Sequence, residues 1–559
     1  MQRPAANACH VPSLRPHELM KSVKRESDST TRAAGRQLCG AYVALAHLSC
    51  SYYCYIDLVT RGWRSVMPTG RRREGLISAR KVAGFTQEGL ADVLHVDRST
   101  VARWEAGDYV PLPYLWPKLA NVLGRSRDEL QGLIGPSAVT REFNPDDSFE
   151  PVFTWLDRHT GWPLGRAREQ VCASAAISTR DRPNPPRSVI SDALADYYAP
   201  PTSDYRPYAA HCGRVEVTTS VLTRPAWLDL ACSLTATGEQ TAFEGGGARP
   251  PAAVDERAAV LRLADAAASG IRITDVPLYR LLDVDPQPGA LRAKVGIASF
   301  VEYALGVDLL ERELTEHLAS GRTARPGHMP LRDRQLPDVA AVLDLPGRLC
   351  AGGVLALTAI ARPADPFRGH ADFVLLVQKR SAQVVNTADR LSVIPKSFHG
   401  PLADRRADAR IGVTLRRELE EELFGRTDVD RSAGDLRVAN PMHPTRLSAP
   451  MRWLTEQPGR LRMECTGFGL NLVSGNYEFA SLVVIQDEEF WPRFGGDVEA
   501  NWEAAGLQQY STLDGDLVTE LIGDENWSNE GLFAFLQGLR RLAEIGGDRV
   551  QLPVVELSC

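Results

Sequence analysis

Residues 84–107 read GFTQEGLADVLHVDRSTVARWEAG, and the spacing of their apolar side chains predicts two short helices meeting across a tight turn. Leu90, Ala91 and Leu94 share one face of the first helix at i, i+1 and i+4. Thr86 is its expected N-cap, because a hydroxyl there accepts a hydrogen bond from one of the unpaired first-turn amides. Ala91 is small where two steeply crossing helices come closest. His95-Val96-Asp97-Arg98 breaks the pattern. Asp97 is placed to cap a second helix, whose Val101 and Trp104 point inward at i and i+3, and Gly107 closes it. Working outward, an earlier helix is expected near residues 74–83, with Leu76, Ile77 and Val82 apolar and Gly84 at its C-terminal stop. Downstream, Ser126-Arg127-Asp128-Glu129 has capping-box spacing and opens a last helix through Leu130 and Leu133.

This segment resembles the Cro/C1-type (XRE) helix-turn-helix family. The resemblance is carried by Arg80, the Gly84-Phe85-Thr86-Gln87 run, Leu90-Ala91, and Ser99 through Gly107. It implies an all-α, five-helix DNA-binding domain over residues 67–137 and a role in transcription regulation. It also implies an ion pair between Glu105 and Arg80, and a contact from Gln87 to the DNA backbone. The second helix of the turn is then the recognition helix, with its N-terminal side chains at base edges in the major groove. On that placement Arg98, Ser99, Thr100 and Arg103 face double-stranded DNA. Arginine binds guanine in a bidentate manner, and serine and threonine suit phosphates or either base. Arg71, Arg72 and Arg73 precede the first helix, as a solvated surface run or as an arm to the backbone or minor groove. One such domain reads a half-site, so a homodimer on a pseudo-palindrome is expected.

The rest of the 559-residue chain bounds this reading. A formal net charge of −6 argues against a binder that uses its whole surface on nucleic acid, so DNA contact is expected from a local basic surface. Ten cysteines are scattered without a C-x-x-C pair, which suits small buried hydrophobes in a reducing cytoplasm. Residues 40–59 are long enough to span a bilayer, but His47, Ser49, Ser51 and Asp57 interrupt them, and no membrane segment is expected. Residues 1–66 lack clear periodicity and are read as a disordered extension or a translation-start artefact ahead of Met67.

Beyond the helix-turn-helix, residues 138–186 read as a helical linker and residues 187–345 as a mixed α/β domain of unassigned role. In the latter, residues 214–219 alternate like a strand, while 258–268 and 299–318 read as amphipathic helices. The last third carries a chemistry-bearing pattern. Strands are expected at 353–361, 372–378, 469–473 and 477–485, with helices at 411–424 and 529–545. Ile411, Leu415, Leu419 and Leu423 form the inner stripe of the first of these helices. Glu418, Glu421 and Glu422 then stand at i, i+3 and i+4, so their carboxylates converge. Converging carboxylates repel unless a cation sits among them, and oxygen ligands favour Mg²⁺ or Mn²⁺.

Arg417 through Glu422 resembles the R-E-U-x-E-E core of the Nudix family box, and the strand order over residues 346–550 is similar to a Nudix-like α/β/α sandwich. The resemblance implies metal ligation by Glu418, Glu421 and Glu422, a catalytic role for Glu421, and a nucleotide-type ligand. The chain departs from the box elsewhere. Ala403 and Ala409 stand where its glycine and first glutamate belong, with Asp404 and Asp408 nearby, and Phe424 stands where another glycine belongs. Two functions follow. One is a regulator whose Nudix-like domain senses a nucleotide-type ligand, and the other is a metal-dependent hydrolase of a nucleoside diphosphate derivative with an auxiliary helix-turn-helix.

Overall fold

The computed structural model describes residues 73–94, 96, 98–106, 111, 115–125, 129–130, 133, 149–175, 183–199, 204–235, 237–245, 254–269, 271, 273–381, 384, 387–426, 441–498, 500–501 and 504–558. The expected extension at 1–66 lies outside them. The chain divides into two compact units, residues 1–139 and 140–559. No helix among the described residues is long and apolar enough to cross a membrane.

In the first unit four helices are described: α1 (Glu74–Val82), α2 (Gln87–Leu94), α3 (Arg98–Ala106) and α4 (Trp116–Leu123). Leu76, Ala79, Leu90, Ala91, Leu94, Val101, Trp104, Leu119 and Leu123 form their shared core. These are the stripe positions that the 3.6-residue period selects on each helix. The Thr86 hydroxyl accepts the Gly89 amide at 3.0 Å, as an N-cap should. Gly84 ends α1 at φ +82°, a left-handed conformation that suits glycine. The expected fifth helix starts at Ser126, outside the described residues, although Glu129, Leu130 and Leu133 are helical.

The second unit is built on a mixed sheet. Its strands, in chain order, are β1 (Arg206–Cys212), β2 (Val215–Thr223), β3 (Leu228–Ser233), β7 (Gly352–Arg362), β8 (Asp372–Arg380), β9 (Leu391–Val393), β10 (Lys396–Phe398), β11 (Leu461–Asn471), β12 (Asn476–Ile485), β13 (Ala504–Ser511) and β14 (Val555–Leu557). The main path runs β13-β8-β7-β12-β11-β2-β1-β14. Its β7–β12 pair is parallel, with Ser481 opposite Ala356, and β11 joins β2 through Leu470↔Leu222. The boundary expected at residue 345 therefore falls inside one continuous sheet. A second sheet of β4 (Glu239–Phe243), β5 (Pro277–Gln287) and β6 (Ala290–Ser299) has the order β4-β6-β5.

Both faces of the large sheet are covered, which explains why β7 and β12 read as nearly continuous apolar runs. Helix α10 (Ile411–Glu418) packs Ile411 and Leu415 on one face against Val354, Ala356 and Ile360. Helix α11 (Asn529–Ile545) packs Leu532, Phe535 and Leu539 on the other against Leu355, Leu357 and Leu482. A third cluster joins α5 (Glu150–Thr160), α6 (Arg166–Ala175) and α8 (Glu256–Ser269). Two further helices are α7 (Arg187–Tyr197) and α9 (Leu309–Ala319).

Two expected helices differ from the structure. Residues 299–318 form two helices, Phe300–Ala304 and Leu309–Ala319, because the break is held from outside. There Arg262 donates to the Asp308 carboxylate at 2.6 Å, and both side chains are buried. The expected 411–424 helix is α-helical only to Glu418 and continues as a π turn over Leu419–Leu423, with the Phe424 amide bonded to the Leu419 carbonyl at 3.1 Å.

A buried ion pair ties β10 to the start of α11: Lys396 Nζ lies 2.5 Å from the Glu530 carboxylate. Burial pushes the Glu530 carboxyl up, but the Lys396 charge together with hydrogen bonds from Lys396, Ser528 and its own backbone amide holds it below the usual range. Lys396→Met leaves Glu530 buried and unpaired, so urea unfolding of the full chain should show a loss of about 3–5 kcal/mol. The double variant with Glu530→Leu should recover most of that loss. An equal loss in both would show that the pair is not its cause.

Candidate nucleic-acid interface

The first unit brings α3 across α2 through a turn closed by the Val96 amide on the Ala91 carbonyl at 3.0 Å. Val101 and Trp104 are buried beneath α3, which directs the opposite side outward. On that outward side Arg98 and Arg103 are exposed and Thr100 is half-buried. The Ser99 side chain lies outside the described set. Two exposed cationic groups on one helix are the donors that base edges and phosphates accept.

The orientation of α3 is set by buried polar contacts at its C-terminal end. Arg80, from α1, places Nε 2.5 Å and Nη2 3.2 Å from the two oxygens of Glu105. The same guanidinium donates Nη1 to the Phe85 carbonyl at 2.7 Å, tying the α1–α2 connection to the pair. The implied Arg80–Glu105 bridge is thus present. Gln87, implied as a DNA-backbone contact, donates Nε2 to Glu105 at 2.7 Å. One carboxylate therefore fastens α1, α2 and α3 together. Arg73 was missed as a structural residue. Its guanidinium donates to the Trp104 carbonyl at 2.7 Å, and its amide donates to the Glu105 carbonyl at 2.7 Å. Local pattern offers no signal for it, because Trp104 is 31 residues away and Glu105 is the next residue.

In the second unit Glu418 and Glu421 share the Arg417 guanidinium, while Glu420 and Glu422 have other partners. Glu418 accepts from Arg417 at 2.7 Å, and Glu421 lies 3.7 Å from the same guanidinium. Glu422 accepts the Lys396 amide at 2.9 Å and is 3.4 Å from Gln378 Nε2. Glu420 is fully buried and accepts the Ser448 amide and hydroxyl at 3.0 and 3.1 Å. Asp408, instead of joining these groups, accepts the amides of Leu402, Ala403 and Asp404. Among the described residues no group of three or more histidine, cysteine, aspartate or glutamate side chains is arranged to hold a metal ion. This donor set does not fit a shared Mg²⁺ or Mn²⁺. Arg417 stands between Glu418 and Glu421, and Glu422 is turned to the Lys396 amide at 2.9 Å.

Breaking the Arg80–Glu105 pair by Arg80→Met strands a buried carboxylate, at a cost of about 3–5 kcal/mol. Hydrogen exchange across residues 87–106 of the full chain should accelerate accordingly, and unchanged protection would refute the assigned role. No curated protein matches the chain. Residues 76–130 match the helix-turn-helix family model. This segment is a helix-turn-helix, and it supports a DNA-binding regulator in general terms.

Proposed function

We propose that the protein is a sequence-specific transcriptional regulator that reads double-stranded DNA through α3 and acts as a homodimer. The observation that carries this reading is the pairing of an exposed Arg98 and Arg103 with a back side locked by Val101, Trp104 and Glu105. A rigid helix offering cations outward suits insertion into a major groove. Arg98, Ser99, Thr100 and Arg103 make the contacts in this reading. Gln87 supports it through Glu105, and a single domain of this kind reads only half of a palindromic site.

The second unit is the regulatory part of the proposal, a Nudix-like sensor of a nucleotide-type ligand. The Arg417–Glu422 run and a sheet with helices on both faces support it. Sensing is favoured over hydrolysis because Glu418 and Glu422 are already engaged by Arg417 and by the Lys396 amide. Ligand would act by changing the spacing of two half-site readers, which is a coupling free energy between sites.

Mapping the protein's positions on its own genome identifies operator DNA. On that DNA, Arg98→Ala and Arg103→Ala should each weaken binding by about 1–3 kcal/mol, with relaxed base preference where the lost contact is to a base. Unchanged affinity in both variants would rule out α3 as the reading element.

A further inference from the structure

We infer that Arg73 is a positioning residue for DNA reading, clamping the C-terminal end of α3 instead of reaching for phosphate. The inference rests on the DNA-binding reading above. In a helix ending at Ala106 the last four carbonyls have no partner within the helix. Arg73 occupies two of them, Trp104 through its guanidinium and Glu105 through its backbone amide, each at 2.7 Å. Its own carbonyl accepts the Ile77 amide at 3.1 Å and so begins α1. One residue therefore starts α1 and finishes α3. A guanidinium also complements the negative end of the α3 dipole.

This clamp acts on a different part of α3 from the Arg80–Glu105–Gln87 contacts, which hold a side chain and not the carbonyl end. Six residues separate Trp104 from Arg98, roughly 9 Å of helix at 1.5 Å per residue, so a tilt of about 10° pivoting at Trp104 shifts Arg98 by about 1.5 Å. A bidentate base contact does not survive such a shift, whereas attraction to phosphates does. Losing Arg73 should therefore lower specific affinity and spare nonspecific affinity.

The test compares the full-length wild type with Arg73→Ala and Arg73→Gln. Each is titrated at several salt concentrations on a mapped operator and on a random duplex of equal length, with active fractions determined by stoichiometric titration. Arg73→Ala should bind the operator about tenfold more weakly, the scale of one charge-assisted hydrogen bond. The random duplex should be bound as before, and the salt slope should not change. Arg73→Gln, which retains donors, should recover part of the loss. A slope reduced by about one would assign Arg73 to a phosphate and overturn the inference. An equal loss on both duplexes would also overturn it, as a stability effect alone. Hydrogen exchange of the free chain adds an arm that needs no DNA. Faster exchange in α3 with α2 unchanged supports the clamp, and unchanged exchange in α3 refutes it. Failure of the wild type to select any operator would defeat the DNA reading while the exchange result still judged the clamp.

Discussion

Everything the first unit offers to a partner depends on one buried carboxylate. Glu105 sits at 3% exposure between Arg80 and Gln87, and it is the point where three helices are fastened. A buried charge is tolerable only when opposed and hydrogen-bonded, and Arg80 supplies both with its planar fork. The contact is directional, unlike the apolar packing of Leu90, Val101 and Trp104 around it. Packing alone would leave α3 free to slide or roll by fractions of a turn, while a two-oxygen, two-nitrogen pair admits one rotation. The outward direction of Arg98 and Arg103 is thus a consequence of where Glu105 points.

Much of this was legible in the sequence because its signals are local. Thr86 caps the helix that its position announces, Gly84 stops the one before it, and most of the periodic apolar residues are buried, Val82 being an exposed exception. The C-terminal helix at 529–545 and strands β7 and β12 were equally readable from their apolar runs. What escaped depends on partners far along the chain. Glu239 accepts the amides of Ile411 and Gly412, more than 170 residues away, and so starts α10. Glu313 accepts the Leu331 and Arg332 amides, 18 and 19 residues on, at the start of another helix. No window of neighbouring residues carries such information. Arg73 belongs to this class.

The acidic run shows a second limit. Spacing of i, i+3 and i+4 converges all three side chains only if the helix keeps its pitch, and here it widens after Glu418. Within Leu419–Leu423, Glu422 is turned to the Lys396 amide and Glu420 lies in the interior against Ser448. Glu418 and Glu421 still meet, but at the Arg417 guanidinium.

A common principle links the two units. In each, carboxylates serve as the means by which one element dictates the direction of another, at helix N-termini in the larger unit and across helix backs in the smaller. Such contacts are directional, and a lost partner leaves a buried charge, so they resist gradual deformation. A helix held in this way is in place or released, with little between. That is the mechanical property a DNA reader needs if its affinity is to depend on base sequence, since a helix that tilts freely would still find phosphates but would lose the geometry that distinguishes one base pair from another.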